Sequence, residues 1–226
     1  MARPDDIIVI GGSAGSLEVL VEMVANLPRR LPAAVFIVVH VAPDGDSHLP
    51  SILSRSGPLP AKHANDGDTI EAGQIYVAPP DHHLIVEPDR VRLTRGPREN
   101  HHRPAIDPLF RSAAETFGAR VIGVLLSGAL DDGVAGLLEI KRAGGIVVVQ
   151  DPRDALIPSM PRRALEQMQV DHVVAQGSLA PLLTRLIAAS KARRVDPEKK
   201  AAAAVVSPAL RGEGEGSPSP LGRSSS

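Results

Sequence analysis

Short, continuously apolar runs recur along this chain, each followed by a stretch of helical periodicity, and that alternation leaves few folds open. Asp6–Ile10 reads DIIVI, Val35–Val41 is almost wholly aliphatic, and Val121–Leu126 reads VIGVLL. Strands with no polar alternation are buried on both faces, which is the signature of a parallel sheet sandwiched by helices. Between them, Leu17, Leu20, Val21, Val24 and Leu27 repeat at helical spacing. Further helices are predicted from Ser47–Ser54, over Ile106–Thr116, from Val134 to Ala143, over Met160–Gln167 and over Pro181–Ser190. Gly145–Val149 and His172–Val174 complete the strands. Three runs, Gln74–Ala78, His83–Glu87 and Arg90–Thr94, alternate apolar with polar residues and predict a small antiparallel ribbon between the halves. The expected fold is α/β: a doubly wound, mostly parallel sheet covered by helices on both faces, with a small antiparallel insertion. Sites in such folds collect at the carboxyl ends of the strands.

Composition narrows the chemistry. The chain has 226 residues, 43% apolar but only 2% aromatic, so its core is aliphatic. Lys and Arg number 25 against 26 Asp and Glu. This balance lacks the basic excess of a nucleic-acid binder, and the scarcity of rings leaves no platform for stacking bases. No nucleic-acid partner is expected. With no cysteine, disulfides, thiolate metal sites and cysteine nucleophiles are excluded. The acidic N-terminus is no secretory leader, and the longest apolar run is far short of the ~20 residues of a spanning helix. A cytoplasmic protein without direct membrane insertion is expected. Beyond Arg194 the chain becomes rich in Ala, then Ser, Gly, Pro and Glu. Residues 195–226 are therefore expected to be a disordered tail, and residues 1–194 the folded domain.

Three strand ends carry reactive side chains. The first strand runs into Gly11-Gly12-Ser13-Ala14-Gly15, which fits neither a dinucleotide fingerprint nor a P-loop. It matches G-x-S-x-G, a strand–turn–helix that lifts a serine hydroxyl above a sheet. The second strand ends at His40, where an imidazole at the same sheet edge could take the serine proton. The strand Val121–Leu126 leads through Ser127-Gly128-Ala129-Leu130 to Asp131-Asp132-Gly133. An acid here is either a helix N-cap or the carboxylate that fixes the His40 tautomer. The order Ser, His, Asp differs from the Ser–Asp–His order of α/β-hydrolases. His82-His83 and His101-His102 are adjacent pairs whose side chains diverge on a strand, so no metal site is expected.

These residues resemble the catalytic domain of the chemotaxis-receptor protein-glutamate methylesterases, the CheB family, from about Ile7 to Ala188. The likeness rests on the GGSAG turn, on Val38-Val39-His40-Val41-Ala42-Pro43, and on Ile75-Tyr76-Val77-Ala78-Pro79-Pro80-Asp81-His82-His83-Leu84. It extends through His102-Arg103-Pro104-Ala105-Ile106-Asp107-Pro108-Leu109-Phe110-Arg111-Ser112-Ala113-Ala114, Ser127–Gly133, Gly144–Asp151 and Met160-Pro161-Arg162-Arg163-Ala164. The resemblance implies a Ser/His/Asp triad: Ser13 as nucleophile, His40 as general base and Asp132, directly before Gly133, as its orienter. Backbone N–H groups of Ala14 and Ala129 are expected to hold the oxyanion. The implied substrates are methyl esters of glutamates on the cytoplasmic helices of methyl-accepting chemotaxis receptors, with glutamine deamidation as a side activity. No cofactor is implied. The resemblance covers a catalytic domain without the family's receiver domain, so phosphorylation control in cis is not expected.

The chain also departs from the family pattern. Ala14 stands where a threonine is usual, Gly15-Ser16 where paired glycines are usual, and Leu130 replaces the second glycine of T-G-M-G-x-D-G. A glycine at that point would matter if the loop needed a positive φ. Two alternatives follow: an esterase acting on another methylated signalling protein, and a catalytically weak binding module of the same fold.

Overall fold

The computed structural model describes residues 3–40 and 47–195. Of the expected tail, 195–226, residue 195 ends the last helix, and residues 196–226 lie outside the described residues, as does the Val41-Ala42-Pro43 part of the histidine motif.

Among the described residues, nine strands and six α-helices follow one another as β1 (Asp6–Gly12), α1 (Ser16–Ala25), β2 (Ala33–Val39), α2 (Leu49–Ser56), β3 (Ala61–His63) and β4 (Ile75–Val77). They continue as β5 (His83–Val86), β6 (Val91–Thr94), α3 (Ile106–Phe117), β7 (Val121–Leu125) and α4 (Val134–Arg142). The last are β8 (Ile146–Gln150), α5 (Ser159–Gln167), β9 (His172–Val174) and α6 (Leu179–Val195). Seven strands form one sheet in the order β3-β4-β2-β1-β7-β8-β9. Every neighbouring pair in it is parallel. The doubly wound sheet anticipated from the apolar runs is therefore present.

All seven residues of β1 are buried. Ile7 and Val9 enter one core with α3, α4 and α5, while Ile8 and Ile10 enter the other with α1, α2 and α6. Strand geometry sends successive side chains to opposite faces, so burial on both sides demands an unbroken apolar run. The chain winds outward from β1 to β2, then returns to β1's other side as β7. That reversal opens a crevice at the carboxyl ends of β1, β2 and β7.

One expected element belongs elsewhere. The run Gln74–Ala78 is not part of the antiparallel ribbon, because β4 pairs parallel with β2 and β3 inside the main sheet. The polar signal came from Tyr76, which is fully buried. Its ring stacks on Phe36 with centroids 5.0 Å apart. Its hydroxyl donates to the Thr69 carbonyl (2.7 Å) and accepts the Glu71 amide (3.0 Å). Burial, the dominant influence, raises the phenol to about 12, so it stays a donor. A satisfied tyrosine thus sits in an interior strand without penalty. Strand β3 was not anticipated: Ala-Lys-His at a sheet edge has no apolar pattern.

The ribbon itself is the hairpin β5–β6. It rests on α3, where Ser112 Oγ accepts the Val86 amide (3.1 Å) and Thr116 Oγ1 donates to the Val86 carbonyl (3.1 Å). The loop leaving this hairpin leads straight to the crevice.

Candidate active site

The turn after β1 is clamped from both sides. The Ser13 amide donates to the Ser127 carbonyl (2.9 Å), tying it to the loop after β7. The Ser13 carbonyl accepts the Ser16 amide (3.1 Å) and hydroxyl (2.7 Å). Buried Ser127 donates through Oγ to the Ala14 carbonyl (2.8 Å) and accepts the Ile157 amide (2.9 Å). Gly15 has φ +81, and a Cβ there would meet Leu156 Cβ at 2.6 Å, so glycine is required on both counts. Ser13 is left half-buried at the mouth of the crevice.

His40 stands level with Ser13. The parallel register pairs Gly12 with Val39, and the His40 amide donates to the Gly12 carbonyl (3.2 Å), carrying the ladder one step further. The imidazole is 5% exposed, and its Nε2 lies 2.7 Å from Asp132 Oδ2. Its other nitrogen, Nδ1, is buried and has no hydrogen-bond partner among the described residues. Ser13 Oγ makes no hydrogen bond among the described residues, so the structure joins His40 to Asp132 while leaving Ser13 a neighbour by register alone. Catalytic contacts often tighten only with substrate present.

Asp132 is 1% exposed and fully engaged. Oδ2 accepts His40 Nε2 and the Ile106 amide (2.7 Å); Oδ1 accepts Asn100 Nδ2 (2.8 Å) and the Asp107 amide (3.2 Å). Ile106 and Asp107 open α3, whose own N-cap, Ala105, offers no side-chain acceptor. Asp132 therefore caps a helix other than the one it precedes. Burial pushes its carboxyl up, but the hydrogen bonds from His40, Ile106 and Asn100 outweigh it and hold the group below the usual carboxylate range. The carboxylate is an acceptor only, so the shared proton of the pair sits on His40 Nε2 and the lone pair on Nδ1. Asp131, by contrast, is exposed.

The amides of Ala14 and Ala129, both at exposed residues, donate to no group among the described residues. Leu130 adopts φ +65, so the loop does require a positive φ, and a leucine carries it. His82 and His83 take separate partners: His82 bonds the Pro80 carbonyl (2.9 Å) and His83 the Pro97 carbonyl (2.9 Å).

Two further residues complete the site: His102, set aside from sequence as half of a non-chelating pair, and Asn100, which the sequence does not single out. His102 lies flat on His40, ring centroids 3.6 Å apart and planes 8° apart. Asn100 bridges Asp132 and Asp107. Neither has a spacing signal, because both arrive on a loop some 60 residues from His40 and 30 from Asp132.

The family model for CheB methylesterase matches residues 8–183. The chain belongs to the CheB methylesterase family. A putative protein-glutamate methylesterase/protein-glutamine glutaminase of Leptospira interrogans is 40% identical over 180 residues, covering 79% of this chain and 93% of the relative. A protein-glutamate methylesterase/protein-glutamine glutaminase of Methanosarcina acetivorans is 33% identical over 194 residues. The match covers 82% of this chain but only 54% of that relative. Among solved structures, the CheB methylesterase catalytic domain of Thermotoga maritima superposes with TM-score 0.78 at 30% identity, covering 82% of this chain and all of that one. The expectation of a methyl-ester hydrolase agrees with this membership. Among the described residues no helix is long and apolar enough to cross a membrane.

Proposed function

We propose that the chain hydrolyses γ-methyl esters of glutamate side chains through a Ser13/His40/Asp132 triad and an acyl-enzyme. The observation that carries this reading is the His40 Nε2···Asp132 Oδ2 hydrogen bond of 2.7 Å at the strand edge that also bears Ser13. Asp132 holds the Nε2–H tautomer, leaving Nδ1 to take the Ser13 proton as Oγ attacks the ester carbonyl. The tetrahedral oxyanion is received by the amides of Ala14 and Ala129. The intermediate collapses, methoxide leaves with the proton from the imidazolium, and the acyl group stays on Oγ. Water then gives its proton to His40 and attacks the acyl carbon, releasing the glutamate and regenerating the serine. A glutamine side chain entering the same path releases ammonia instead of methanol. No step calls on a cofactor.

The methylated glutamates proposed are those of chemotaxis receptors, as the family resemblance and the relatives' names suggest, and the cytoplasm is the compartment that goes with them. The positive φ kept at Leu130 weighs against the weak-binding-module alternative, because the loop retains the backbone path a glycine would take. The test is methanol release from a methylated receptor fragment by the native chain and by Ser13→Ala. Loss by several orders of magnitude in the variant is expected. Equal rates would remove Ser13 from the mechanism.

A further inference from the structure

We propose that the turn Glu99–His102 is a clamp for the His40–Asp132 pair, with His102 and Asn100 as positioning residues. The proposal rests on the triad reading above and extends it. The turn is closed by reciprocal backbone hydrogen bonds, Glu99 N–H to the His102 carbonyl (3.1 Å) and His102 N–H to the Glu99 carbonyl (2.8 Å). Its two central residues, Asn100 and His101, have φ +50 and +68. Two successive left-handed residues define the tight primed turn, in which asparagine is at home and histidine is tolerated.

This shape sends alternate side chains to the two members of the pair. From its second position, Asn100 Nδ2 donates to Asp132 Oδ1 (2.8 Å) and to Asp107 Oδ2 (2.9 Å). One amide thereby links two buried carboxylates that would otherwise repel. From its fourth position, His102 covers the face of His40 at 3.6 Å. The stack forbids rotation of the His40 ring out of its plane, which keeps Nε2 on Asp132. His102 is held below the ordinary imidazole range, first by burial and then by His40.

The turn is moored on both flanks. Glu99 pairs with Arg111 of α3 (2.6 Å). Arg103 donates to Asp81 Oδ1 (2.6 Å) and to the Gly96 carbonyl (2.7 Å), and Arg95 pairs with the same Asp81. These moorings are costly in ordering entropy for a mere connection, but they serve a turn whose side chains must hold two others within tenths of an ångström.

The experiment measures kcat and KM for methyl-ester hydrolysis in His102→Ala, His102→Phe and Asn100→Gly, beside native protein and Ser13→Ala. Glycine at 100 keeps the positive φ and removes only the amide. His102→Ala and Asn100→Gly are expected to lower kcat about 10- to 100-fold, the range for partners that orient a working histidine, with KM unchanged. Phenylalanine at 102 restores the flat stack and is expected to recover kcat to within about threefold. If alanine at 102 fails to fold, His102→Gln replaces it, since it keeps polarity without a ring. Native kcat in both disruptive variants, with Ser13→Ala inactive, overturns the clamp; so does a loss confined to KM, or a phenylalanine variant as poor as alanine. An active Ser13→Ala would instead overturn the triad reading beneath it.

Discussion

The carboxylate of Asp132 takes the backbone amide of Ile106 at 2.7 Å on the same oxygen that receives His40. One group therefore caps α3 and orients the imidazole, so the position of His40, the proposed base, is coupled to the start of a helix that lies 26 residues earlier in the chain.

Asp132→Asn should accordingly fail twice. Either way round, the amide NH2 meets donors: in the place of Oδ2 it faces the Ile106 N–H and turns His40 to the wrong tautomer, and in the place of Oδ1 it faces Asn100 Nδ2 and the Asp107 N–H. Turnover is expected to fall about 10⁴-fold, the scale known for this change in a serine protease. Stability should drop by about 1–3 kcal/mol as buried donors lose their acceptor. Asp131→Asn, at an exposed site, should change neither beyond about 0.5 kcal/mol. Turnover and urea unfolding of both variants decide this, and a dead Asp131→Asn with a live Asp132→Asn would reverse the assignment.

Acid titration should expose the same carboxylate. The folded-state pKa of Asp132 lies below its ordinary value near 4. Its contribution to stability is then present above that ordinary value and is lost as the pH falls through the folded pKa. Asp107 runs the other way: burial first, then the charge of Asp132, raise it, so its ionisation costs stability as the pH rises from the ordinary value through the folded one. The stability gap between native protein and Asp132→Asn should therefore shrink steadily below pH 4. A gap independent of pH between 2 and 6 would mean Asp132 is not ionised in the fold.

Leu130 holds φ +65 while 60% exposed, paying strain for little burial. The left-handed region costs a leucine about 1–2 kcal/mol, and glycine's extra freedom in the unfolded chain returns part of that. Leu130→Gly should raise stability by about 0.5–1 kcal/mol, or about 1–4 °C in Tm, without lowering activity. A calorimetric scan showing a lower Tm would indicate that the leucine makes a contact worth more than its strain.

Gly128 lies against Ser13, the proposed nucleophile. A Cβ there would stand 2.9 Å from Ser13 Cβ and 2.5 Å from Met160 Cε. The thioether can swing aside, but Ser13 Cβ belongs to a turn pinned through the Ser13 amide on Ser127, so only a shift of that turn relieves the second contact. Gly128→Ala should thus displace the serine and lower kcat about 100-fold, more than its effect on stability suggests. A variant with native kcat and a lowered Tm would show that Met160, not Ser13, gives way.

What the sequence by itself determined is whatever depends on local pattern. The unbroken runs in β1, β2 and β7 declare strands buried on both faces, and burial on both faces implies the parallel, doubly wound sheet. Parallel register then brings strand ends together, so Ser13, His40 and the Asp131-Asp132 step could be read as neighbours from order alone. Pattern failed where burial and polarity part company: Tyr76 looks half-exposed but hides a satisfied hydroxyl, and β3 is too short and polar to announce itself. Only the tertiary structure decided that Asp132 caps α3 instead of α4, that His40 offers Nε2 to it, and that Asn100 and His102 close over the pair. Each of these depends on where a loop lands after folding. No periodicity encodes that, because the contacts join residues 30 or 60 positions apart through the packing of the hairpin and α3 against the sheet.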